Sequence, residues 1–302
     1  MRYAAVDIGT NSTRLLVADV EGSEVGWFDR RTTVTGLGRG VDQTGLLSEE
    51  AMERTLRMLA AYGEAIGGSD VAAVRAVATS AVRDAGNGSE FLGAADAVLG
   101  FRPEVISGEE EAALSFAGAT RALESGSPYV VIDIGGGSTE FVLGSDEPDF
   151  RVSFDMGSVR LTDRVLRDRP VPEAQLAEGR DLVAGVFDSL ELTVAPLTAV
   201  GVAGTFTSLS AISQDLPVYD PGRVHGSKLS VMRIAELVLY LTTLTLEETA
   251  SIPSLDPARA PVILAGAVIA EEAARRVGLE EVTVSEHDLL DGVVLALASP
   301  EV

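Results

Sequence analysis

The stretch Ala5-Val-Asp-Ile-Gly-Thr-Asn-Ser-Thr-Arg14 returns later in the chain as Val131-Ile-Asp-Ile-Gly-Gly-Gly-Ser-Thr-Glu140. Five residues recur at one constant offset of 126 positions, and they are Asp7, Ile8, Gly9, Ser12 and Thr13. Each copy has the pattern of an apolar strand, a glycine turn and a second strand. Self-similarity of this kind indicates two related structural units. We therefore predict an α/β protein with two lobes.

The flanking sequence supports the same division. Apolar, partly alternating runs predict strands at 3–8, 13–20 and 25–34, and again at 129–134, 139–143 and 150–156. Between the two sets, strands at 71–79 and 104–106 alternate with helices that begin near Ser48, Asn87 and Gly108. The turn-rich residues 125–128 separate the sets, and a chain of 302 residues is long enough for two domains. We predict one lobe over 1–125 and another over 126–302.

Composition narrows the chemistry. The sequence has no cysteine and only two histidines, which excludes thiolate and multi-histidine metal sites and favours hard cations held by oxygen. A formal net charge of -23 argues against a nucleic-acid partner. No apolar run approaches the roughly 18 residues of a membrane span, and the opening MRYAAVDIG does not resemble a signal peptide. We therefore expect a cytoplasmic protein with no nucleic-acid or membrane partner.

The repeated turn is suited to binding an anion. Glycine permits positive φ angles and close backbone approach, so successive N–H groups can converge on a phosphate. The candidate phosphate-binding residues are Gly9, Thr10, Asn11, Ser12 and Arg14 in the first copy, and Gly135, Gly136, Gly137, Ser138 and Thr139 in the second. The alternative is an ordinary hairpin in which Asp and Gly serve as turn residues. The duplication weighs against that alternative.

Acidic residues beside the turns are candidate metal ligands. Asp7 and Asp133 end the first strand of each copy, where a carboxylate can hold Mg2+ directly or through water. The copies differ at their last matched position: Arg14 could neutralise a phosphate, whereas Glu140 could complete a metal shell or orient water. The alternative is that both are outward side chains on second strands. We predict a metal site formed by Asp133, Glu140 and Asp7.

Several blocks together resemble one enzyme family. They are DIGTNSTRLL from Asp7, ATSAVRDAGN from Ala78, ISGEEEAALSF from Ile106, VIDIGGGSTEFV from Val131, MGSVRLTD from Met156, GVAGTFTSLSA from Gly201 and VHG from Val224. This order is similar to the exopolyphosphatase/guanosine-pentaphosphatase family, within the sugar-kinase and actin-like ATPase superfamily. The resemblance implies two ribonuclease-H-like lobes, each a mixed five-stranded sheet flanked by helices. It also implies a cleft between the lobes, with the two glycine turns facing each other across it.

The resemblance further implies that Glu111 is the general base that activates water. The two glutamates before it are suited to structural roles, because Ser107 as N-cap places Glu110 at N3, where it can close a capping box, and Glu109 in the first turn, where the helix dipole favours an anion. The alternative for Glu111 is a solvated carboxylate on the helix surface.

Two further turns carry phosphate candidates. Thr79 and Ser80 follow a strand, and Arg83 lies one turn later, where it could clamp a phosphate or pair with Asp84. Gly204 and Thr205 would place a helix N-terminus against an anion, as this superfamily does with nucleotide phosphates. Arg160 is a structural candidate as much as a binding one.

The C-terminal segment departs from the family pattern. Many members carry a sequence similar to SxxGLREG, and here Asp288 stands where glycine is common and Leu290 where arginine is common. We assign no binding role to Leu290, and we favour a structural role for His287 over a catalytic one.

The leading hypothesis is an exopolyphosphatase that uses Mg2+, with Mn2+ or a monovalent cation such as K+ as alternatives. The main alternative is a pppGpp 5'-phosphohydrolase, since the chemistry is the same and only the leaving group differs. An actin-like kinase or ATPase and a noncatalytic alarmone sensor are the remaining alternatives. The resemblance also implies a homodimer and inhibition by (p)ppGpp.

Overall fold

The chain divides into two compact units. The computed structural model describes residues 1–22, 24–121, 123 and 126–299. The first unit comprises Met1–Arg121 and His287–Val302, and the second comprises Ala122–Glu286. The predicted boundary residue Ser125 lies outside the described residues. The prediction that all of 126–302 forms the second lobe is wrong, because the segment from His287 onward belongs to the first unit.

The first unit is built on a five-stranded sheet. Its strands are β1 (Arg2–Ile8), β2 (Ser12–Glu21), β3 (Glu24–Val34), β4 (Ala73–Ala78) and β5 (Glu104–Val105). Its first helices are α1 (Val41–Thr44), α2 (Glu49–Gly67), α3 (Ser80–Asp84), α4 (Gly88–Leu99) and α5 (Gly108–Thr120). The strand order is β3-β2-β1-β4-β5, with β1, β4 and β5 parallel and β2 antiparallel to both of its neighbours. The carboxyl ends of the three parallel strands therefore meet at one edge.

The second unit repeats this arrangement with one strand more than predicted. Its strands are β6 (Tyr129–Ile134), β7 (Thr139–Gly144), β8 (Pro148–Phe154), β9 (Thr198–Val202), β10 (Lys228–Ser230) and β11 (Glu281–Val284), in the order β10-β11-β9-β6-β7-β8. Its helices are α6 (Ser158–Arg164), α7 (Glu173–Phe187), α8 (Ala203–Ser213), α9 (Pro221–Val224), α10 (Val231–Thr243), α11 (Leu246–Ala250) and α12 (Ile263–Val277). A 3-10 turn spans Pro257–Arg259. The shared order of five strands confirms the duplication, and β10 adds an antiparallel edge.

Local sequence explains where the helices begin and end. The Ser48 hydroxyl accepts the Ala51 N–H and caps α2, as predicted, and Gly100 ends α4 in the left-handed conformation that glycine adopts readily. The short α3 was not predicted, and the predicted helix from Gly108 ends at Thr120. No helix among the described residues is long and apolar enough to cross a bilayer.

The chain returns to the first unit through α13 (Leu289–Ala298). Two glycines allow α13 to approach α5 closely: a Cβ at Gly118 would lie 2.0 Å from the Asp288 carbonyl oxygen, and one at Gly292 would lie 2.0 Å from the Leu114 carbonyl oxygen. Leu290 and Val293 of α13 are fully buried in a core cluster that also contains residues of β1 and β2. This apolar face is the physical reason that the C-terminal segment joins the first unit.

Candidate active site

The carboxyl edge of the first sheet brings several predicted residues together. The first glycine turn follows β1, α3 follows β4, and α5 follows β5 shortly downstream. Thr10 and Ser80, both predicted to bind phosphate, share a hydrogen bond of 2.8 Å between their hydroxyls. Both residues are buried, at 7% and 2% exposure. Ligands of α/β sheets commonly bind at such an edge.

Backbone hydrogen bonds fix the first turn. The Gly9 N–H donates to the Ser12 carbonyl over 3.0 Å, and a Cβ at Gly9 would lie 2.9 Å from that oxygen. The Asn11 carbonyl accepts the N–H groups of Thr35 and Gly36, at 3.0 and 2.8 Å. The Asn11 side-chain oxygen is buried and accepts no hydrogen bond from the described residues. The turn is therefore rigid and needs glycine at its first position.

Arg14 is engaged by carboxylates. Asp7 and Arg14 face each other across β1 and β2, and the Arg14 Nε donates to Asp7 Oδ2 over 2.7 Å. The Arg14 Nη1 pairs with Asp288 at the start of α13. Burial raises the pKa of Asp7, although the Arg14 charge opposes the shift. Asp7 Oδ1 is buried and has no hydrogen-bond partner among the described residues. The outward-pointing alternative is thus wrong for Arg14, whose side chain is only 13% exposed.

An ion network continues from Asp288 into β3. Arg30 lies 3.2 Å from Asp288 and 2.8 Å from Asp291. Asp291 also accepts the Trp27 indole N–H over 2.8 Å and contacts His287 Nδ1 over 2.8 Å. This contact agrees with the structural role that we favoured for His287. Sequence reasoning missed Arg30, Trp27 and Asp291, although an aspartate at the N-cap with another at N3 is itself a capping signal.

Glu111 occupies the first turn of α5 and is 9% exposed. Its carboxylate lies 3.8 Å from Nη1 of Arg83, which also donates to the Ile106 carbonyl over 3.1 Å. The alternative of a solvated carboxylate is therefore wrong for Glu111. The predicted pairing of Arg83 with Asp84 occurs as well, at 3.8 Å.

The neighbouring glutamate has a structural contact. Ser107 caps α5 as predicted, because its hydroxyl accepts the Glu110 N–H over 3.1 Å. The Glu110 carboxylate, however, accepts from Arg75 over 2.6 Å, so the reciprocal half of the predicted capping box does not appear among the described contacts. The strong guanidinium donor competes with the backbone N–H of the cap.

The second turn reproduces the first. The Gly135 N–H donates to the Ser138 carbonyl over 3.0 Å, as Gly9 does to Ser12. The start of α6 closes over this turn, where Val159 N–H donates to the Gly136 carbonyl over 2.8 Å. The Arg160 Nε donates to the Gly137 carbonyl over 2.9 Å, which gives Arg160 a structural contact with the turn.

Asp133 and Glu140 form the acidic counterpart of the Asp7–Arg14 pair. They are register partners on β6 and β7 and are 6% and 1% exposed. Directly opposed residues present their side chains on one face of a sheet. Glu140 accepts from the Ser153 hydroxyl over 2.7 Å. Two buried carboxylates fit an oxygen-seeking cation, but the described residues contain no group of three or more His, Asp or Glu side chains arranged for a metal.

The third turn adds an arginine that the sequence did not reveal. Ala203 has a φ of 63°, an uncommon conformation for a residue other than glycine. A Cβ at the next residue, Gly204, would lie 1.8 Å from Nη1 of Arg259, so the guanidinium packs against this glycine. The Thr205 hydroxyl donates to the Ile134 carbonyl over 3.3 Å and joins the turn to the end of β6. No local pattern connects Arg259 with Gly204, since the two are far apart in sequence.

A tyrosine lies in the same unit near Arg259. The Tyr219 hydroxyl donates to the Glu286 carboxylate. Burial and the negative charge of Glu286 raise the pKa of Tyr219, and Arg259 partly opposes the shift. Tyr219 therefore stays protonated and acts as a hydrogen-bond donor at neutral pH.

Comparison with known proteins adds the family. The model of the Ppx/GppA phosphatase family matches residues 15–301. The chain belongs to this family. It is 43% identical to Exopolyphosphatase 2 of Mycobacterium tuberculosis over 98% of both chains. As a member of the Ppx/GppA phosphatase family, it is a hydrolase.

Solved structures of the Ppx/GppA family have the same fold. A crystal structure of an exopolyphosphatase-like protein has 35% identity and a TM-score of 0.93, with 98% of each chain covered. The Aquifex aeolicus family member has 31% identity and a TM-score of 0.84, with 99% of each chain covered. These structures confirm the predicted α/β class, whereas the assignment of individual site residues stays a prediction.

Proposed function

We propose that this chain is an exopolyphosphatase that releases orthophosphate from the ends of polyphosphate, with Glu111 as general base. The observation that carries the proposal is the buried Glu111 carboxylate beside Arg83, at the carboxyl edge of the first sheet. The 43% identity to Exopolyphosphatase 2 supports the substrate class. Polyphosphate and pppGpp both end in a phosphoanhydride-linked phosphate, so the experiment must compare them.

Glu111 would accept a proton from the water that attacks the terminal phosphorus. A carboxylate in a partly dry environment is suited to this role, and a positioned base contributes about 10^2 to 10^4 in rate. Arg83, with a side chain that is 26% exposed, would stabilise the negative charge that shifts between the phosphate oxygens during transfer. The Glu110 carboxylate pairs with Arg75, whereas the Glu111 carboxylate lies beside Arg83.

Asp133 and Glu140 are the proposed ligands of a divalent cation. Asp133 and Glu140 are buried register partners, and their oxygen atoms suit Mg2+ or Mn2+. A bound divalent cation would neutralise charge on the substrate phosphates and orient them. Asp7, the third predicted ligand, is salt-bridged to Arg14, and its buried Oδ1 is the atom that remains for a cation or a water.

The substitution Glu111→Gln tests the proposal, because it keeps the size of the side chain and removes the base. We expect kcat for phosphate release from tripolyphosphate to fall by about 10^2 to 10^4, with KM changed by less than about threefold. The matched control is Glu110→Gln, which removes the adjacent carboxylate and should retain most activity. Equal losses in the two variants would refute the role of Glu111.

The substrate is decided by parallel assays of the unsubstituted protein. Phosphate release from tripolyphosphate, from longer polyphosphate and from pppGpp is measured with Mg2+ and again with EDTA. Preference for polyphosphate by kcat/KM is the expected result. Turnover of pppGpp alone would identify the alternative activity, and tight binding without phosphate release from any substrate would contradict both.

A further inference from the structure

Arg14 follows the first glycine turn, and its guanidinium is already paired with two carboxylates. Its Nε and one terminal nitrogen both lie 2.7 Å from Asp7 Oδ2, and its other terminal nitrogen pairs with Asp288. A phosphate that binds Arg14 therefore competes with these carboxylates for the same positive charge. Asp7 is the neighbour on β1, whereas Asp288 comes from the far end of the sequence.

The two oxygens of Asp288 have separate contacts. Oδ1 accepts the Leu290 N–H over 3.0 Å and caps α13, and Oδ2 meets Arg14 and Arg30. Serine and asparagine cap helices as well as aspartate does. The negative charge at this position is therefore not needed for the cap, and its contacts are with the two arginines.

The charges of the cluster explain what that carboxylate does. Three carboxylates, those of Asp7, Asp288 and Asp291, surround the two guanidiniums of Arg14 and Arg30. With His287 counted as neutral, the cluster carries one net negative charge. A polyanion that approaches Arg14 therefore meets a cluster whose carboxylates outnumber its guanidiniums.

We propose that the Asp288 carboxylate competes with substrate phosphates for Arg14 and so sets the affinity of the first turn for polyanions. The inference rests on the proposed function and on the predicted binding of phosphate by the first turn. Asp288 lowers the affinity of this turn because its negative charge offsets the charge of Arg14. Removing only the charge of Asp288 should therefore tighten binding.

The test measures binding without turnover. Tripolyphosphate is titrated calorimetrically into the Glu111→Gln protein and into the same protein that also carries Asp288→Asn. Asparagine retains the cap but offers no second anionic oxygen, so we expect Kd to fall about threefold to tenfold, the scale of one charge-assisted hydrogen bond. Asp288→Ser, a shorter cap residue, should tighten binding in the same direction and guards against a local effect of the asparagine side chain.

Two comparisons make the result specific. Asp19→Asn removes the aspartate of the Arg2–Asp19 pair and should leave Kd unchanged. This pair lies at the end of β1 and β2 that is away from Arg14. Adding Arg14→Gln to Asp288→Asn should abolish the gain, because the gain depends on the released guanidinium. A gain that persists without Arg14 would overturn the proposal, as would an unchanged or weaker Kd in Asp288→Asn.

The outcomes also separate this inference from the proposed function. If the unsubstituted protein releases no phosphate, the proposed function fails, while the comparison of Kd values still decides the role of Asp288. If no variant binds tripolyphosphate, the competition that we infer does not exist. Thermal unfolding of each variant, followed by circular dichroism, confirms that the compared proteins are folded.

Discussion

Asp291 anchors α13 to the first sheet, and Asp291→Asn should destabilise the first unit. The carboxylate is 1% exposed and contacts Arg30, the Trp27 indole and His287, and it also accepts the backbone N–H of Asp288. Asparagine retains the shape and one acceptor oxygen but removes the charge that faces Arg30. The side chain of Arg30 is only 16% exposed, so water replaces that charge poorly.

The expected loss follows from this burial. Removing one partner of a buried ion pair costs about 3–5 kcal/mol, and the lower end applies because Arg30 keeps its contact with Asp288. A loss of about 3 kcal/mol corresponds to a fall in Tm of roughly 6–12 °C for a protein somewhat smaller than this one. The change should appear in the first unit and leave the melting of the second unit nearly unchanged.

The loss should also depend on pH. Burial by itself raises the pKa of Asp291, but the hydrogen bond with His287 and the charge of Arg30 outweigh it and hold the pKa well below its usual range. A carboxyl group with a lowered pKa stabilises the fold above its unfolded value of 3.8, and the stabilisation is lost as pH falls through the folded value. The difference between the unsubstituted protein and the variant should be present at pH 7 and should shrink below about pH 4.

The single tryptophan of the chain provides the assay. Trp27 donates to Asp291 and lies between Arg30 and His287, with the Arg30 guanidinium 4.3 Å and the His287 ring 4.9 Å from the indole centre. Its fluorescence during thermal unfolding therefore reports on this network, while circular dichroism follows both units. The control Asp19→Asn removes an exposed partner of Arg2 and should not move the fluorescence transition. An unchanged fluorescence midpoint in Asp291→Asn at pH 7, or an equal loss at pH 7 and pH 3, would refute the reasoning.

Three further predictions concern the site. Arg83→Gln should lower kcat about tenfold or more, because Arg83 lies beside Glu111. The control Asp84→Asn should lower kcat less, and equal kcat values in the two variants would contradict the prediction. Glu140→Gln should raise the Mg2+ concentration for half-maximal activity at least about tenfold, measured by phosphate release in Mg2+ titrations, and an unchanged requirement would exclude it as a ligand. Gly204→Ala should displace the Arg259 guanidinium and raise KM with little change in Tm, whereas Gly93→Ala, where a Cβ meets nothing within 4 Å, should leave KM unchanged.

The repeated turns were predictable because their determinants are local. Gly9 and Gly135 each stand one residue after a buried strand, and each donates to a carbonyl three residues later. Such short-range geometry is encoded in adjacent residues, which is why a repeat in the sequence became a repeat in the structure. The N-cap Ser107 at the start of α5 is a local feature of the same kind.

The parts that the sequence did not predict depend on distant contacts. Arg14 meets Asp288 across 274 positions, and no residue near Arg14 in the sequence indicates that this second carboxylate will pair with it. Arg259 reaches Gly204 in the same way. The lobe assignment of α13 was wrong for a related reason, since its apolar pattern does not reveal which surface it covers. Its packing on β1 and β2 and its close approach to α5 at Gly118 and Gly292 both join residues far apart in the sequence.

Because α13 belongs to the first unit but is last in the sequence, folding of the first unit depends on the end of synthesis. Synthesis delivers every strand of the second unit before the helix that carries Leu290 and Val293. Until that helix is synthesised, the apolar residues of β1 and β2 that pack against it, such as Ala5 and Leu16, lack this packing partner. Translation of the first unit thus begins first, but its core is complete only after the second unit has been synthesised. A fragment that ends at Arg121 should therefore be prone to aggregate.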